Sequence, residues 1–133
     1  MSRLVLATLI AMAAPAALAQ EADTYRQAFD AIQQAVAAND GVALAEWVSY
    51  PIEVKSTAKP LAIADAAEFA AHYSEIVTRE IADAVTNQKF DELFINADGA
   101  MFGDGQVWMS EICLDNACGN TEVKIITIQS TAD

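Results

Sequence analysis

The chain has 133 residues, which is enough for one domain, and 54% of them are hydrophobic, so a single apolar core is feasible. Its 19 acidic residues outweigh 7 basic ones, and the formal net charge is −12 at pH 7. Because so acidic a surface repels phosphate groups, nucleic acid and anionic membrane surfaces are disfavoured as partners, whereas plain solubility or a basic protein partner is favoured.

The first twenty residues have the order of a secretory signal peptide. Arg3 is their only charged residue, and an apolar run follows from Leu4 to Ala14. Ala17-Leu18-Ala19 then has small residues at the two positions that a signal peptidase recognises. We therefore expect cleavage between Ala19 and Gln20. The alternative, a transmembrane anchor, needs about 20 apolar residues, roughly twice the length of this run.

Cleavage there divides the chain into a signal peptide, residues 1–19, and one domain, residues 20–133. Arg3 leaves with the signal, so 6 basic residues remain against 19 acidic ones, a formal charge of −13. We expect this domain in the periplasm or outside the cell, with no attachment to a membrane after cleavage.

Two helices are predicted first in the domain. Residues 22–38 carry apolar side chains at helical spacing on one stripe: Tyr25, Phe29, Ile32 and Val36. A shorter second helix is expected to end at Tyr50-Pro51, because proline disfavours the helical conformation of the residue before it. The apolar residues of that second helix are Val42, Leu44, Ala45 and Val48.

A short strand pair and a long helix come next. Residues 52–56 alternate apolar and polar side chains, as in a half-buried strand, and residues 59–63 are the candidate partner. Asp65 then caps a long third helix in a capping-box-like pair with Glu68, and Thr78 indicates a kink or a restart. The apolar residues of this helix are Phe69, Tyr73, Ile76, Val77, Ile81, Ala84 and Val85.

The remainder of the chain is predicted to be strands joined by turns. Asp98-Gly99 and Gly103-Asp104-Gly105 mark the first two turns, and they lack the alternating carboxylates of a calcium loop. The strands are 93–96, 100–102, 106–114 and 121–129. This order predicts an α+β domain, with N-terminal helices and one long helix packed on a curved antiparallel sheet.

Cys113 and Cys118 are the two cysteines of the chain. Asp115-Asn116 between them fits a two-residue hairpin turn, which would place the cysteines on facing positions at a Cα separation suited to a disulfide. We therefore predict a Cys113–Cys118 disulfide. A metal site is the rival interpretation, but it lacks a nearby histidine, and redox catalysis usually uses a closer C-x-x-C pair.

That hairpin also predicts the register of the last two strands, counted back from the facing cysteines. Trp108 then faces Val123, and both lie on the core face with Ile112 and Ile125. The opposite face keeps apolar residues, which favours a partner surface there, most simply that of a homodimer. Those residues are Val107, Met109, Ile126 and Ile128. A bulge at Gly119-Asn120 would shift this register.

Five segments of the chain carry a resemblance to a known family. They are Trp47-Val48-Ser49-Tyr50-Pro51-Ile52-Glu53-Val54, Ala67-Glu68-Phe69, His72-Tyr73, Leu93-Phe94-Ile95-Asn96 and Gly105-Gln106-Val107-Trp108. Together they resemble the NTF2-like superfamily, cone-shaped α+β domains with helices against a strongly bent sheet, and in particular its small exported bacterial members without an assigned role. The superfamily includes isomerases, dehydratases, transport factors and binding or dimerisation modules, so the resemblance implies a fold and no single activity.

His72 is the only histidine and therefore the first candidate for chemistry. It shares a polar helical stripe with Glu68 and Glu75, so we expect it at the surface, where the two glutamates favour its protonated form. A catalytic or ligand-binding role for His72 is the alternative.

The resemblance implies a second set of candidates, since NTF2-like isomerases and dehydratases place an acid, a histidine or a tyrosine inside the cone. The residues in question are Tyr50, Tyr73, Asp91 and Glu111. The predicted register turns Glu111 away from the core, and no acid–base pair is aimed into the cone. Serine-nucleophile, phosphate-loop and zinc signatures are missing from the sequence, so we predict no catalytic residues, no metal site and no cofactor.

The sequence favours a non-enzymatic exported binding module. Its cone would bind a small apolar molecule, with Tyr50, Tyr73 and Trp108 as candidate lining residues, or its sheet would bind protein. One alternative is an isomerase or dehydratase-type enzyme, which requires a carboxylate or His72 in the pocket with a perturbed pKa. The other is a periplasmic inhibitor or immunity-type protein, which requires acidic residues clustered on one face against a basic target.

Overall fold

Helix α1 spans Ala16–Ala37 in the computed structural model, which describes the backbone of residues 16–132 and the side chains from residue 22 onward. The predicted signal peptide therefore lies largely outside the described residues, and its predicted cleavage point falls within α1. The predicted stripe of α1 is confirmed, because all four of its residues are buried: Tyr25, Phe29, Ile32 and Val36. Of the helices in this part of the chain, none is long and apolar enough to cross a membrane.

Helix α2, Gly41–Ala45, is shorter than predicted. Asp40 caps it, accepting a hydrogen bond of 3.0 Å from the backbone N–H of Ala43. Val42, predicted as an apolar contact, is instead 69% exposed. Val48 lies beyond the helix and forms a parallel β-bridge with Ile125, so the chain leaves α2 to join the sheet before it reaches the proline.

Strands β1, Ile52–Val54, and β2, Leu61–Ile63, form the predicted antiparallel pair. The alternation buries the first and last residues of β1 and exposes Glu53 between them. Ser56 is also buried, and its hydroxyl donates a hydrogen bond of 2.6 Å to the carbonyl oxygen of Ile76. This bond ties the strand pair to the helical segment that follows.

The predicted long helix is three short ones: α3, Ala66–Ala71, α4, Tyr73–Ile76, and α5, Arg79–Thr86. The predicted cap is confirmed, because the Asp65 carboxylate accepts a hydrogen bond of 2.8 Å from the N–H of Glu68. The predicted restart is also confirmed, since the Thr78 hydroxyl accepts from the N–H of Ile81. The prediction of a single long helix is wrong, because the chain interrupts it at His72, which makes no side-chain cap, and again before Arg79, where the Thr78 hydroxyl caps α5.

Four antiparallel strands form the main sheet, in the order β3-β4-β5-β6. They are β3, Phe94–Asn96, β4, Gly99–Phe102, β5, Val107–Cys113, and β6, Thr121–Ile128. The predicted turns separate the first three strands. Gly99 is required at the first turn, because its φ is 135° and a Cβ there would overlap the carbonyl oxygen of Met109. The fold is thus α+β, with one long N-terminal helix and several short ones packed on a curved antiparallel sheet.

The Cys113–Cys118 disulfide is confirmed, with the two Cα atoms 4.7 Å apart, but it lies in a longer loop than predicted. Cys113 pairs with Thr121 at the end of the hairpin, so residues 114–120 form a loop in place of a two-residue turn. The bridge therefore joins the last residue of β5 to a residue of the loop and does not link facing strand positions. A disulfide is consistent with an oxidising compartment.

Asp115 closes this loop with its side chain. Its carboxylate accepts hydrogen bonds of 2.9 Å from the N–H of Gly119 and 3.2 Å from the N–H of Asn120. These hydrogen bonds stabilise the ionised carboxylate and lower the pKa of Asp115, and the bond from Gly119 has the largest effect. A side-chain contact across the loop, rather than a tight turn at Asp115-Asn116, therefore sets the length of the hairpin connection.

With the longer loop, the register of β5 and β6 differs from the prediction. Trp108 faces Thr127 rather than Val123, Met109 faces Ile125, and a β-bulge lies between these two pairs. A slip by an odd number of residues exchanges the faces of a strand. The slip accordingly buries two residues of β5 that were predicted on the outer face, Val107 and Met109, and the bulge brings a third, Ile128 of β6, to the inner face. Those three residues therefore belong to the core and offer no partner surface, and a homodimer through the outer sheet face stays a prediction.

The core lies between the helices and the inner face of the sheet. Phe29 of α1 stacks on Phe102 of β4, with ring centroids 5.2 Å apart. Phe90 meets the Phe29 ring edge-on, also at 5.2 Å. Gln33 of α1 donates a hydrogen bond of 3.1 Å to the carbonyl oxygen of Val85 near the end of α5, and this bond fixes the two helices side by side.

The last described residues are held by α5. Glu80 accepts hydrogen bonds of 2.7 Å from the hydroxyl of Ser130 and 2.8 Å from the N–H of Thr131. Gln106, which is buried, donates to the hydroxyl of Thr131 at 3.0 Å. The donors, Ser130 foremost, stabilise the ionised carboxylate and hold the pKa of Glu80 below its ordinary value.

We expect the contribution of Glu80 to stability to be lost in acid. A carboxyl whose pKa is lowered on folding stabilises the protein above its unfolded value of 4.5, and this stabilisation disappears as the pH falls through the folded value. Glu80→Gln should therefore melt below the wild type at neutral pH, and the gap should close between about pH 5 and about pH 3. Circular dichroism measures both melting curves, with Asp83→Asn on the same helix as the control. A gap as wide in acid as at neutral pH would contradict this role.

Candidate functional site

The three residues predicted to line the cone do not meet in one cavity. Tyr50 packs edge-on against the buried phenylalanine of α3, with ring centroids 6.4 Å apart. Tyr73 lies over Gly41 at the start of α2 and lines a groove of about 530 Å³ formed mainly by small residues. Trp108 lies on the outer face of the sheet, edge-on to Phe94 at 6.5 Å. A binding role for any of the three stays a prediction.

Tyr50 and Tyr73 hold their phenolic protons at neutral pH. The Tyr50 hydroxyl donates to the carbonyl oxygen of Ala45 at 2.7 Å, and burial, followed by the charges of Glu46 and Asp65, raises its pKa to about 12. Burial also raises the pKa of Tyr73, whose hydroxyl has no hydrogen-bond partner within the described part of the chain. Neither phenol is therefore poised to act as a base at neutral pH.

The other candidates for chemistry lie apart at the surface. His72 is at the junction of α3 and α4, its Nδ1 3.4 Å from a carboxylate oxygen of Glu75 and its side chain 36% exposed. Asp91 and Glu111 are exposed on separate elements. Among residues 22–132, the only buried polar residues are Ser56 and Gln106, and no three His, Cys, Asp or Glu side chains are grouped to hold a metal ion.

A groove of about 520 Å³ lies between α1 and the β5–β6 hairpin. Gln27 and Ala28 of α1 line one side, and Val123 of β6 lines the other. Glu46 and Trp47, which directly follow α2, complete it. The groove therefore combines side chains from three parts of the chain, and we treat it as the candidate site.

Backbone hydrogen bonds hold Trp47 against the edge of the sheet. The N–H of Ile125 donates to the carbonyl oxygen of Trp47 at 2.6 Å, and the N–H of Ser49 donates to the carbonyl oxygen of Ile125 at 2.9 Å. The segment after α2 thus pairs with β6. This pairing brings the half-buried indole of Trp47 beside Lys124, the neighbour of Ile125 in β6.

The ammonium group of Lys124 lies over the Trp47 ring. Its Nζ is 5.9 Å from the ring centroid, donates a hydrogen bond of 2.5 Å to the backbone carbonyl oxygen of Glu46, and lies 3.7 Å from the Glu122 carboxylate. An ammonium above an indole is attracted by the negative face of the ring. The groove thus accommodates a cation, the ammonium group of Lys124, between an aromatic ring and oxygen acceptors.

Glutamates outnumber this lysine in the groove. The three that line it are Glu46, Glu111 and Glu122, so the groove carries a formal net charge of −2. All three are exposed, and Glu111 accepts a hydrogen bond of 3.3 Å from the hydroxyl of Thr121. An aromatic surface with surplus negative charge favours a cationic ligand over an anionic or a purely apolar one.

No local motif in the sequence identifies this groove. Lys124 and Glu46 are 78 residues apart, and their contact depends on β6 pairing with the segment after α2. In the sequence, Trp47 stands out only as part of the first segment of the family resemblance. A lone tryptophan directly after a short helix is the one available signal, and it becomes informative only once the register of β6 is known.

Fold and groove together define a small α+β protein with an acidic, aromatic-lined groove at the edge of its sheet. In comparisons with known proteins, no family model, no curated protein and no solved structure matches the chain. The resemblance to the NTF2-like superfamily accordingly stays a prediction, and the chemistry of the groove is the basis for any assignment of function.

Proposed function

We propose that this protein is an exported, non-enzymatic binding module of NTF2-like architecture whose groove takes a small organic cation. The observation that carries the proposal is the Lys124 ammonium, seated over the Trp47 ring and bonded to the carbonyl oxygen of Glu46. Helices packed on one face of an antiparallel sheet support the architecture. The disulfide supports export to an oxidising compartment.

The inferred ligand is a compact ammonium compound. A groove of about 520 Å³ is in the usual range of small-molecule sites. Trp47 offers an aromatic surface to the cation, and Glu111 and Glu122 offer carboxylates beside it. Because Lys124 already lies over the ring, the ligand must displace its ammonium. Repulsion between the two cations therefore limits the affinity of the wild type.

Trp47→Ala is expected to weaken the binding of choline by about 2- to 30-fold, because a cation–π contact contributes about 0.5 to 2 kcal/mol. Choline is a suitable probe because 3,3-dimethylbutan-1-ol has the same shape without the charge. Isothermal titration calorimetry with both compounds measures the effect of the charge alone. Equal affinity for the two compounds, or unchanged choline binding by Trp47→Ala, would contradict a cation site on this ring.

Lys124→Met is expected to strengthen choline binding several-fold, because it removes the competing charge and keeps a side chain of similar length. The matched control is Lys89→Met, which removes an exposed lysine outside the groove and should leave the affinity unchanged. If the groove instead bound anions through Lys124, Lys124→Met would abolish the binding of acetate and would not strengthen the binding of choline. That outcome would reverse the proposed ligand class.

A further inference from the structure

The groove between α1 and the hairpin already holds one ammonium group, at the end of the aliphatic side chain of Lys124. That group donates a hydrogen bond to the carbonyl oxygen of Glu46 while it lies over the Trp47 ring. A primary ammonium has N–H donors for such a bond, whereas a quaternary ammonium has none. The position therefore suits the primary ammonium of an aliphatic amine, which keeps a hydrogen bond that a quaternary ligand leaves unmade.

The edge of β6 adds further hydrogen-bond acceptors to the groove. Ile125 bonds through its backbone N–H and carbonyl oxygen to Trp47 and Ser49, so these two groups point to the edge where Trp47 lies. Successive residues of a strand direct their backbone groups to alternate edges, and Val123 and Thr121 therefore direct theirs to the same edge as Ile125. Both residues line the groove. Their carbonyl oxygens are thus placed to accept hydrogen bonds from N–H groups of a ligand.

Two of the three glutamates that line the groove form no ion pair among residues 22–132. Glu122 lies 3.7 Å from the Lys124 ammonium, whereas neither Glu46 nor Glu111 pairs its carboxylate with a basic side chain in this part of the chain. The formal charge of −2 is therefore left for a ligand to balance. A ligand with one positive charge balances half of it, and a ligand with two balances all of it.

We propose that this groove takes a linear aliphatic diamine, an inference that rests on the proposed function. One ammonium replaces that of Lys124 over the Trp47 ring, and the other lies at the Glu111 carboxylate. Trp47 and Glu111 flank β6 on opposite sides, at two strand spacings of about 4.8 Å each. The terminal nitrogens of extended 1,5-diaminopentane are about 7.5 Å apart, so the glutamate side chain covers the remaining distance. Ala28 and Val123 line the groove and suit the methylene chain between the two charges.

Isothermal titration calorimetry with 1,5-diaminopentane and 5-aminopentan-1-ol tests the second ammonium, because the two compounds have similar lengths and differ by one charge. The diamine should bind the wild type about fivefold more tightly than the amino alcohol. Glu111→Gln should remove most of this advantage and change the affinity for the amino alcohol less than about twofold. The matched control is Glu53→Gln, at an exposed residue of β1 outside the groove, and it should leave the advantage intact.

Pentamethonium tests the preference for primary ammonium groups, because it is the same diamine with three methyl groups on each nitrogen. It should bind more weakly than 1,5-diaminopentane, since it has no N–H to donate to the carbonyl oxygen of Glu46. Tighter binding of pentamethonium would contradict the primary diamine as the ligand class.

The remaining outcomes separate the diamine from the proposed function. Equal affinity of the wild type for the diamine and the amino alcohol, with choline still bound, would overturn the diamine and leave the cation site on Trp47 standing. A diamine advantage that persists in Glu111→Gln would also overturn it. If none of these cations bound at about 10 mM, both the diamine and the proposed function would be wrong.

Discussion

Met109→Lys is expected to unfold the protein, whereas Trp108→Lys should leave it folded. Met109 is fully buried between the sheet and the helices. An ammonium group at that position loses its hydration, at a cost of several kcal/mol against a total stability of about 5 to 15 kcal/mol for a domain of this size. Trp108 lies on the opposite face, where a lysine side chain reaches water. Circular dichroism and thermal melting distinguish the two outcomes.

Met109→Leu is the matched control, because it keeps the volume and the apolar character of the side chain and should cost less than about 1.5 kcal/mol. The register predicted from a two-residue turn places Trp108 in the core and Met109 outside it. Under that register the two lysine variants would exchange their behaviour. A folded Met109→Lys together with an unfolded Trp108→Lys would therefore contradict the observed pairing of β5 and β6.

Replacing both cysteines by serine should destabilise the protein by about 2 kcal/mol and leave it folded. Cys113 and Cys118 are separated by 5 positions. In the chain-entropy model, closing so short a loop restricts the unfolded chain by about that amount. The loop should keep its shape in the variant, because the bonds from Asp115 to Gly119 and Asn120 do not depend on the disulfide.

Urea unfolding measures this change as a shift of the midpoint at an unchanged slope. The wild type under reducing conditions is the control, and its unfolding midpoint should equal that of the serine variant. Failure of the double variant to fold would mean that the disulfide defines the hairpin. A difference below about 0.5 kcal/mol would mean that Asp115 alone constrains the loop.

Most of the helices and strands follow from local chemistry. The stripe of α1 is visible because a helix with one buried face repeats its apolar residues at three- and four-residue spacing. Asp65 and Thr78 are readable as caps because their side-chain oxygens accept hydrogen bonds from backbone N–H groups three residues later. These caps explain both the start of α3 and the interruption before α5.

The register of the last hairpin does not follow from local chemistry. Asp115-Asn116 has the composition of a tight turn, but the Asp115 carboxylate bonds to backbone groups at Gly119 and Asn120 and closes a longer loop. The bulge beside Met109 adds a second shift. Because side chains alternate along a strand, the odd slip from the longer loop exchanges the inner and outer faces of β5, and the bulge then brings Ile128 of β6 to the inner face.

The groove is the part of the molecule that is hardest to predict from the sequence. It requires α1, the segment after α2 and the hairpin to meet, and Lys124 must reach the carbonyl oxygen of Glu46 across the edge of the sheet. Tyr50, Tyr73 and Trp108 are attractive candidates in the sequence because aromatic residues often line pockets. Tyr50 and Tyr73 pack around the helices, and Trp108 lies on the outer face of the sheet beside Phe94.

The most direct test of the proposed function is a ¹H–¹⁵N correlation spectrum of the indole N–H groups as choline is added. The chain has two tryptophans, so Trp47 reports on the groove and Trp108 on the outer face of the sheet. Trp47→Phe and Trp108→Phe assign the two signals. The proposal predicts a saturable shift of the Trp47 signal, a smaller shift with 3,3-dimethylbutan-1-ol, and a Trp108 signal that does not respond to choline. A Trp47 signal that does not move at about 10 mM choline, or a saturable shift of Trp108 alone, would contradict it.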